Sequence, residues 1–308
     1  MTTNSLLVSV PHERLADALG ELDARVRVIV WDMKSPPPTS EIDLVVPPYL
    51  EGTRPLAMLA GVTTRLVQSQ SIGYNGVAEA LPPGHVYANA ASVHEASTAE
   101  LAVGLVLASQ RGLDDFVRAA SEGKWRPAWH QSLADREVLL VGYGGVGAAI
   151  EARLRPFEVS VTRVARTRRH DERGPVYDRT DLPRLLGAAD VVIVGVPLTP
   201  DTHHLINDEF LVAMRDGTLL VNIARGQVAD TDALLAHART GRLRLALDVT
   251  DPEPLPDGHE LFGLSNVLIS PHVGGATSAM GPRMAALLRE QIARLLRGDE
   301  PTNVVLRT

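Results

Sequence analysis

Short apolar runs separated by turn-forming or helix-forming segments recur along the whole chain. Near its start, four runs have the length of β-strands, at residues 6–10, 26–31, 42–46 and 65–70. Consecutive prolines between the second and third runs mark a loop, because proline cannot donate to a strand ladder. This pattern predicts an α/β unit at the beginning of the chain.

The same alternation restarts later in the chain. Strands are predicted at residues 138–141, 159–164, 191–196, 218–222, 243–247 and 267–270. Residues 96–111 are predicted to form a buried helix and residues 281–297 an amphipathic one. Residues 112–136 contain Trp125 and Trp129 with little periodicity, and we predict an extended arm there. Alternating strands and helices indicate an α/β fold with two doubly wound parallel sheets.

Composition limits the possible classes of function. The 308 residues suffice for about two domains, and 45% hydrophobic with 22% charged residues is ordinary for a globular protein. A net charge of -7 argues against a general nucleic-acid binder. Cysteine is absent, which excludes disulfides, thiolate catalysis and cysteine-ligated metals, and we expect no metal site. The sequence has no signal-peptide pattern and no apolar run of ~20 residues, so we expect a cytoplasmic protein without a membrane partner.

A glycine-rich turn follows the strand predicted at 138–141. It reads Gly142-Tyr143-Gly144-Gly145-Val146-Gly147, and helix-forming residues come next. Gly142 permits a tight turn, Gly144 lets the backbone approach a pyrophosphate, and Gly147 lets the helix pack closely on the strand. Amides at the helix start would face the pyrophosphate. The turn predicts dinucleotide binding by all six residues, although a methyltransferase can use a similar loop.

The next strand predicted in this region points to the type of dinucleotide. In this kind of fold it usually ends on an acid that binds the adenosine ribose. Here Ala165 stands at that position and is followed by Arg166, Arg168 and Arg169. Arginines donate charge-assisted hydrogen bonds to phosphates, so these three are predicted to bind the 2′-phosphate of NADP. NADP is therefore the preferred cofactor and NAD the alternative, for which the arginines would form a solvated basic turn.

Three later motifs add groups suited to hydride and proton transfer at a carbonyl. They place Arg225 in Val-Asn-Ile-Ala-Arg-Gly, Glu253 in Asp-Pro-Glu-Pro-Leu-Pro, and His272 in Ser-Pro-His-Val-Gly-Gly. Together with the glycine turn, these motifs resemble those of the D-isomer-specific 2-hydroxyacid dehydrogenases, and especially the glyoxylate or hydroxypyruvate reductases. The similarity runs in order from about Ser69 to Gly275.

The resemblance implies that the protein reduces a small 2-keto acid, such as glyoxylate or hydroxypyruvate, to a 2-hydroxy acid. Arg225 would hold the substrate carboxylate and polarise the ketone with its permanently charged, planar guanidinium. His272 would be the general acid in reduction and the general base in oxidation. Glu253 would hydrogen-bond to His272 and stabilise the imidazolium. Otherwise these three would be ordinary surface residues.

Further binding residues are implied by the same resemblance. The amides of Ile72 and Gly73 would hold the substrate carboxylate, unless their loop is an ordinary turn. Asp248 would contact the nicotinamide carboxamide or cap a helix. Thr98 and Thr202 would contact the cofactor or begin helices. The other implied cofactor contacts are Val196, Pro197, Ile223, Ala224 and Gly274.

Three residues depart from what we expect of the family. Gly145 stands where relatives often carry a basic side chain, and Thr250 replaces a common aromatic residue. His94 stands in a region where asparagine is frequent, and would face the substrate or cap the helix predicted at 96–111. None of these departures removes a catalytic group.

The resemblance also implies a domain arrangement. A Rossmann dinucleotide-binding domain of residues 95–275 would be inserted into a flavodoxin-like substrate-binding domain of residues 1–94 and 276–308, with the active site in the cleft between them. We expect a homodimer formed through the cofactor domain. Two alternatives stay open, a 3-phosphoglycerate-type dehydrogenase and a dinucleotide-sensing corepressor on the same fold. A formate-type dehydrogenase is disfavoured, because that resemblance would lead us to expect glutamine in place of Glu253.

Overall fold

The computed structural model describes residues 5–308. The strands are β1 (Leu6–Val10), β2 (Val26–Val30), β3 (Leu44–Val45), β4 (Leu66–Gln68), β5 (Val86–Ala88), β6 (Glu137–Val141), β7 (Ser160–Val164), β8 (Arg169–Asp171), β9 (Gly174–Tyr177), β10 (Val191–Val194), β11 (Leu219–Asn222), β12 (Arg244–Leu247), β13 (Val267–Ile269) and β14 (Val304–Arg307). The α-helices are α1 (Glu13–Leu19), α2 (Val77–Ala80), α3 (Glu95–Arg111), α4 (Leu113–Ser121), α5 (Gly145–Leu154), α6 (Leu182–Leu186), α7 (Asp208–Ala213), α8 (Thr231–Arg239) and α9 (Met280–Arg297). Short 3-10 helices cover Arg54–Leu59, Arg155–Phe157, Arg179–Asp181, Gly226–Val228 and Glu260–Gly263.

The chain divides into two compact units. Unit 1 contains the described residues up to His94 together with Thr277–Thr308, and unit 2 contains Glu95–Ala276. Each unit is built around its own sheet. Within residues 5–308, no helix combines the length and the apolar character needed to cross a bilayer.

Unit 1 is centred on a six-stranded sheet in the order β14-β5-β4-β3-β1-β2. Neighbouring strands are parallel, except that β14 pairs antiparallel with β5 at the edge. Leu15 and Leu19 on α1 pack in one hydrophobic cluster with Met284 and Leu288 on α9 and with Val8 on β1. Residues four apart share one helix face, so this spacing directs both helices onto the sheet.

Unit 2 is centred on an eight-stranded sheet in the order β13-β12-β11-β10-β6-β7-β9-β8. All neighbouring strands are parallel except β8, which forms an antiparallel hairpin with β9. Along β6, Leu139 and Val141 pack in a cluster with α6, α7 and α8, whereas Val138 and Leu140 pack in a second cluster with α3 and α5. Successive strand residues face opposite sides of a sheet, so helices cover both faces. The predicted α/β fold with doubly wound sheets is confirmed.

The prediction of an extended arm over 112–136 is wrong for its first part. Leu113–Ser121 forms the helix α4, whose first turn carries Asp114 and Asp115. Arg118 pairs with these carboxylates at 2.9 and 2.6 Å. Acids near a helix start and ion pairs three or four residues apart both favour a helix, which explains why one forms despite the weak apolar pattern. Residues 124–132 have no regular secondary structure.

Candidate active site

Most of the site residues predicted in unit 2 follow strands that end at one edge of its sheet. The strand register aligns the last residues of β7, β6, β10, β11, β12 and β13, which are Val164, Val141, Val194, Asn222, Leu247 and Ile269. The segments that leave this edge are 142–147, 165–169, 195–202, 223–226, 248–253 and 270–274. In α/β proteins, ligands bind outside the carboxyl ends of the parallel strands. Separate sequence motifs are thereby brought to one place.

The glycine turn has the close packing that dinucleotide binding requires. A Cβ on Gly142, whose φ is +108°, would lie 2.5 Å from the carbonyl oxygen of Gly195. A Cβ on Gly147 would lie 2.2 Å from the carbonyl oxygen of Gly142. Within the described chain, no atom approaches the Cβ position of Gly144 to within 4 Å, and no side chain caps α5 at this residue. The open backbone and the uncapped first-turn amides fit a pyrophosphate.

Gly145 has a structural explanation. A Cβ at this position would lie 3.1 Å from Cγ and 3.2 Å from Oε1 of Glu95, at the start of α3. The space that a basic side chain of a relative would enter is therefore partly filled by an acidic one.

Asp248 is a buried carboxylate at the end of β12. Its Oδ1 accepts hydrogen bonds from the Ser270 hydroxyl at 2.7 Å and the Val273 amide at 2.9 Å, and its Oδ2 accepts one from the Gly274 amide at 3.0 Å. A Cβ on Gly274 would lie 3.0 Å from Oδ2 of Asp248 and 3.4 Å from Cγ2 of Thr98. Asp248 thus orders the loop after β13, and Gly274 in that loop lies beside Thr98, another residue predicted to bind the cofactor.

His272 and Glu253 form a close pair. Nδ1 of His272 lies 2.5 Å from Oε1 of Glu253, and the two side chains are 39% and 41% exposed. The backbone of His272 has a left-handed φ of 53°, and its amide donates to the carbonyls of Asp248 at 2.8 Å and Ser270 at 3.0 Å. These bonds hold a conformation that is unfavourable for a residue with a side chain. Because Nδ1 faces the carboxylate, Nε2 is left to exchange a proton with a substrate.

Arg225 lies in the turn after β11. Asn222 shapes this turn, since its Oδ1 accepts from the Ala224 amide at 3.1 Å and its Nδ2 donates to the Arg225 carbonyl at 3.4 Å. Nη1 of the half-buried Arg225 donates to the Ala224 carbonyl at 2.6 Å. A Cβ on Gly226 would lie 1.8 Å from the carbonyl oxygen of Thr250, so only glycine fits there. The arginine is held on a turn that packs against the end of β12.

The loop after β10 carries three predicted cofactor contacts, Val196, Pro197 and Thr202. The Thr202 hydroxyl donates to the Pro197 carbonyl at 2.6 Å and accepts from the Thr199 amide at 2.8 Å, so it stabilises this loop. Ile223, which is buried with Ala224, lies next to the start of the loop: its Cδ1 is 3.0 Å from the Cβ position of Gly195.

The arginines predicted to bind a 2′-phosphate differ in their surroundings. Arg168 donates to Asp178 at 3.1 Å and to Asp181 at 2.6 Å, and its pKa is raised, mainly by the hydrogen bond to Asp178. Arg169 donates to a carbonyl of the glycine turn. Arg166 is exposed and forms no ion pair with any residue in the range 5–308. Arg166 is thus the arginine most available to a phosphate.

In unit 1, Ile72 and Gly73 lie in the loop after β4. Nδ2 of Asn89 donates to the Ile72 carbonyl at 2.9 Å. Among the described residues, neither the Ile72 nor the Gly73 amide finds a hydrogen-bond acceptor in the protein. The buried His94 supports the same loop, because its Nε2 lies 2.6 Å from the Gln70 carbonyl oxygen. Two adjacent amides are therefore left to bind an anion.

Several residues that shape the site were not predicted. Asn222 and Gly226 flank Arg225 in its motif, and an asparagine and a glycine beside a strand end were the available signals. Ser270 lies in the His272 motif, but its bond to Asp248 connects two strands. The contact between Gly195 and Gly142 depends on the strand order, which no single motif shows.

Comparison with known proteins identifies the family. The model of the D-isomer specific 2-hydroxyacid dehydrogenase, NAD binding domain, matches residues 103–274. A glyoxylate reductase of Korarchaeum cryptofilum is 30% identical over 97% of this chain and 95% of its own, and one of Thermococcus onnurineus is 36% identical over 79% and 76%. A solved D-isomer specific 2-hydroxyacid dehydrogenase of Xanthobacter autotrophicus Py2, in complex with NADPH and MES, has 27% identity and a TM-score of 0.81, with 98% of both chains covered. The chain belongs to the D-isomer specific 2-hydroxyacid dehydrogenase family.

Proposed function

We propose that the protein uses NADPH, or less efficiently NADH, to reduce a small 2-keto acid such as glyoxylate or hydroxypyruvate to the corresponding 2-hydroxy acid, with the D configuration where the product is chiral. The observation that carries this proposal is the 2.5 Å pair of His272 and Glu253, on the same sheet edge as Arg225 and the glycine turn. That edge combines a proton donor, a cation and a dinucleotide cradle. The relatives named glyoxylate reductase support the choice of substrate.

Each catalytic residue has a defined task in this reaction. The reduced nicotinamide, when bound, supplies a hydride to the ketone carbon. His272 donates a proton from Nε2 to the ketone oxygen, and Glu253 stabilises the imidazolium at Nδ1. Arg225 binds the carboxylate and draws electron density toward the ketone oxygen. The Ile72 and Gly73 amides are proposed to bind the carboxylate as well.

The dinucleotide is proposed to lie along the carboxyl edge of the unit 2 sheet. The glycine turn would hold the pyrophosphate through its amides. Val196 and Pro197 would line the adenosine side, and Thr202 would lie near the phosphates. Thr98, Ile223, Ala224, Asp248 and Gly274 would complete the cofactor site, with Asp248 toward the nicotinamide carboxamide.

Turnover assays with both cofactors test this function. We expect kcat/KM for NADPH to exceed that for NADH by at least about tenfold, a discrimination of only ~1.4 kcal/mol. The physical reason is that Ala165 offers no carboxylate to a ribose diol, while Arg166 is exposed and available to a 2′-phosphate. The measurement is initial-rate kinetics over a panel of keto acids, with 3-phosphohydroxypyruvate included. A complex with NADPH in the Xanthobacter relative supports this preference.

Variants of the arginines sharpen the test. Arg166→Ala should raise the KM for NADPH, while kcat and the kinetics with NADH stay nearly constant. Arg239→Ala is a suitable control, because this exposed arginine pairs with Glu260 and shares no ion pair with the arginines of the turn. Equal efficiency with NADH in the unmodified enzyme contradicts the NADP preference, and no turnover across the panel contradicts the enzymatic function and favours a dinucleotide sensor.

The protein is also proposed to form a homodimer through α4 and the segment that follows it. Val117, Trp125 and Trp129 have exposed fractions of 70%, 96% and 103%, and Leu113 is also exposed. Large apolar side chains clustered along one exposed segment are typical of an interface.

Sedimentation velocity tests the dimer. At micromolar concentration we expect a single dimeric species, and the double variant Trp125→Ala/Trp129→Ala should shift it toward monomer because it removes apolar area from the interface. Phe262→Ala, which truncates another exposed aromatic residue of unit 2, should leave the dimer intact. A monomer for the unmodified protein contradicts the proposal.

A further inference from the structure

Tyr143, the second residue of the glycine turn, is surrounded by charged side chains of unit 2. Its hydroxyl donates a hydrogen bond to Oε2 of Glu151 on α5 and accepts one from Nη1 of Arg173 at 3.0 Å. The guanidinium carbons of Arg163 and Arg169 lie 5.1 and 5.6 Å from its ring centroid. The Tyr143 network consists of Tyr143, Glu151, Arg163, Arg169, Asp171 and Arg173.

Arg163 on β7 is the buried centre of this network, with 2% of its side chain exposed. Its Nη1 donates to both carboxylate oxygens of Asp171, at 2.9 and 3.1 Å, and lies 3.9 Å from Oε1 of Glu151. Burial lowers the pKa of Arg163, but hydrogen bonds to Tyr143 and Asp171 and the two nearby carboxylates outweigh it, and the pKa is raised overall. An apolar side chain would fill this position without the cost of burying a charge, so packing alone does not explain the arginine.

The β8–β9 hairpin completes the network from the end of the sheet. Arg173, in its turn, donates from Nη1 to Oε2 of Glu151 at 2.6 Å and from its amide to Oδ1 of Asp171 at 2.9 Å. Arg169, on β8, donates from Nη2 to the Tyr143 carbonyl at 2.9 Å. The hairpin therefore holds Tyr143 at two places, its main chain and its hydroxyl.

We propose that the Tyr143 network positions the glycine turn: it fixes the backbone between Gly142 and Gly144 and so sets the affinity for dinucleotides, without touching the reacting atoms. In this turn only Tyr143 and Val146 have side chains beyond hydrogen, so Tyr143 is the residue through which polar contacts can hold it. The inference rests on the dinucleotide site proposed above. Because NADP(H) and NAD(H) share the pyrophosphate, opening the network weakens the binding of both.

Tyr143→Phe tests this inference, because it removes the hydroxyl and keeps the ring. We expect the Kd values of NADP⁺ and NAD⁺, measured by isothermal titration calorimetry without keto acid, to rise about tenfold each. The variant loses the charge-assisted hydrogen bonds to Glu151 and from Arg173, and a tenfold change is expected when only part of their energy is expressed as order in the turn. The KM for the dinucleotide should rise in parallel, whereas kcat at saturating dinucleotide should change by less than about twofold, because His272 and Arg225 are untouched.

A second variant and a control make the result specific. Arg173→Gln removes the exposed guanidinium that donates a hydrogen bond to the Tyr143 hydroxyl. If Tyr143→Phe does not fold, Arg173→Gln tests the proposal by itself. The double variant should bind no more than about threefold more weakly than the weaker single variant, because both changes open the same contact between Tyr143, Glu151 and Arg173. Glu260→Gln breaks the exposed Glu260–Arg239 pair of the same unit and should leave both Kd values unchanged.

Three outcomes overturn the proposal. The first is unchanged Kd values in folded variants, and the second is weaker binding of NADP⁺ with unchanged binding of NAD⁺. The third is a rise in Kd for the double variant equal to the product of the two single-variant rises. Failure of the unmodified protein to reduce keto acids is a different result. It would contradict the proposed reaction and leave this binding measurement intact, since the titration contains no substrate.

Discussion

Replacing His272 with alanine is expected to lower kcat for keto-acid reduction by roughly two to four orders of magnitude, the usual contribution of a positioned general acid. Glu253 holds the imidazole at Nδ1, and the backbone amide of His272 donates two hydrogen bonds that fix the main chain. The position of the imidazole therefore does not depend on a bound substrate. The measurement is steady-state kcat with saturating NADPH and keto acid. The Kd of NADP⁺ should stay nearly constant, which would show that the dinucleotide site is intact.

The variant Glu253→Gln distinguishes the contribution of Glu253 from that of His272. Glutamine keeps a hydrogen-bond acceptor near Nδ1 but removes the negative charge beside the imidazole, so kcat should fall even though the general acid itself is still present. His170→Ala is the matched control, since this exposed histidine lies on β8, away from the loop after β13. A near-normal kcat for the His272→Ala enzyme would overturn the assignment of the general acid.

The strands of unit 2 were predictable because a parallel strand buried on both faces is a nearly continuous apolar run. The runs at 138–141 and 191–196 are of this kind, and they correspond to β6 (Glu137–Val141) and β10 (Val191–Val194). The glycine turn and the family were predictable for another reason, since glycines that permit close backbone contacts leave a local sequence motif. The family match over residues 103–274 confirms that recognition.

The features that were missed depend on contacts between distant residues. The β8–β9 hairpin carries charged residues and little apolar pattern, because it lies at the end of the sheet and is held by ion pairs of its Asp171 with Arg163 and of its Arg173 with Glu151. The pairing of Arg168 with Asp178 and Asp181 needs the fold of the same region, so three neighbouring arginines looked equivalent in sequence. Charge alone does not show which arginine is available to a ligand.

The network around Asp248 illustrates the same limit within the site. Sequence motifs placed Asp248 and His272 at two separate strand ends, and the resemblance gave each a role toward a ligand. The structure adds that Asp248 accepts three hydrogen bonds from the loop that carries His272. The two residues are therefore coupled by loop geometry, and that coupling required the parallel pairing of β12 with β13.

Replacing Arg225 with glutamine is expected to lower kcat/KM for the keto acid by roughly two to three orders of magnitude, the range observed when a preorganised donor to a developing oxyanion is removed. Glutamine can still donate a hydrogen bond, but it has no charge to offer the carboxylate or the ketone oxygen. Arg225→Lys keeps the charge and loses the planar fork, so we expect a smaller loss, of about tenfold to a hundredfold. Initial rates at subsaturating keto acid measure both effects.

Two comparisons make the Arg225 result diagnostic. Arg239→Gln, which removes an exposed arginine of α8, should leave kcat/KM unchanged. With glycolaldehyde, a carbonyl compound without a carboxylate, the unmodified enzyme should be slow and Arg225→Gln should cost much less than with glyoxylate, because the carboxylate contact is already missing. If Arg225→Gln loses equally with both compounds, Arg225 only polarises the carbonyl and does not bind the carboxylate. If Arg225→Gln keeps full activity toward glyoxylate, Arg225 is not a catalytic residue. A larger loss with glyoxylate than with glycolaldehyde would show that the charge of this one side chain recognises the carboxylate of the substrate.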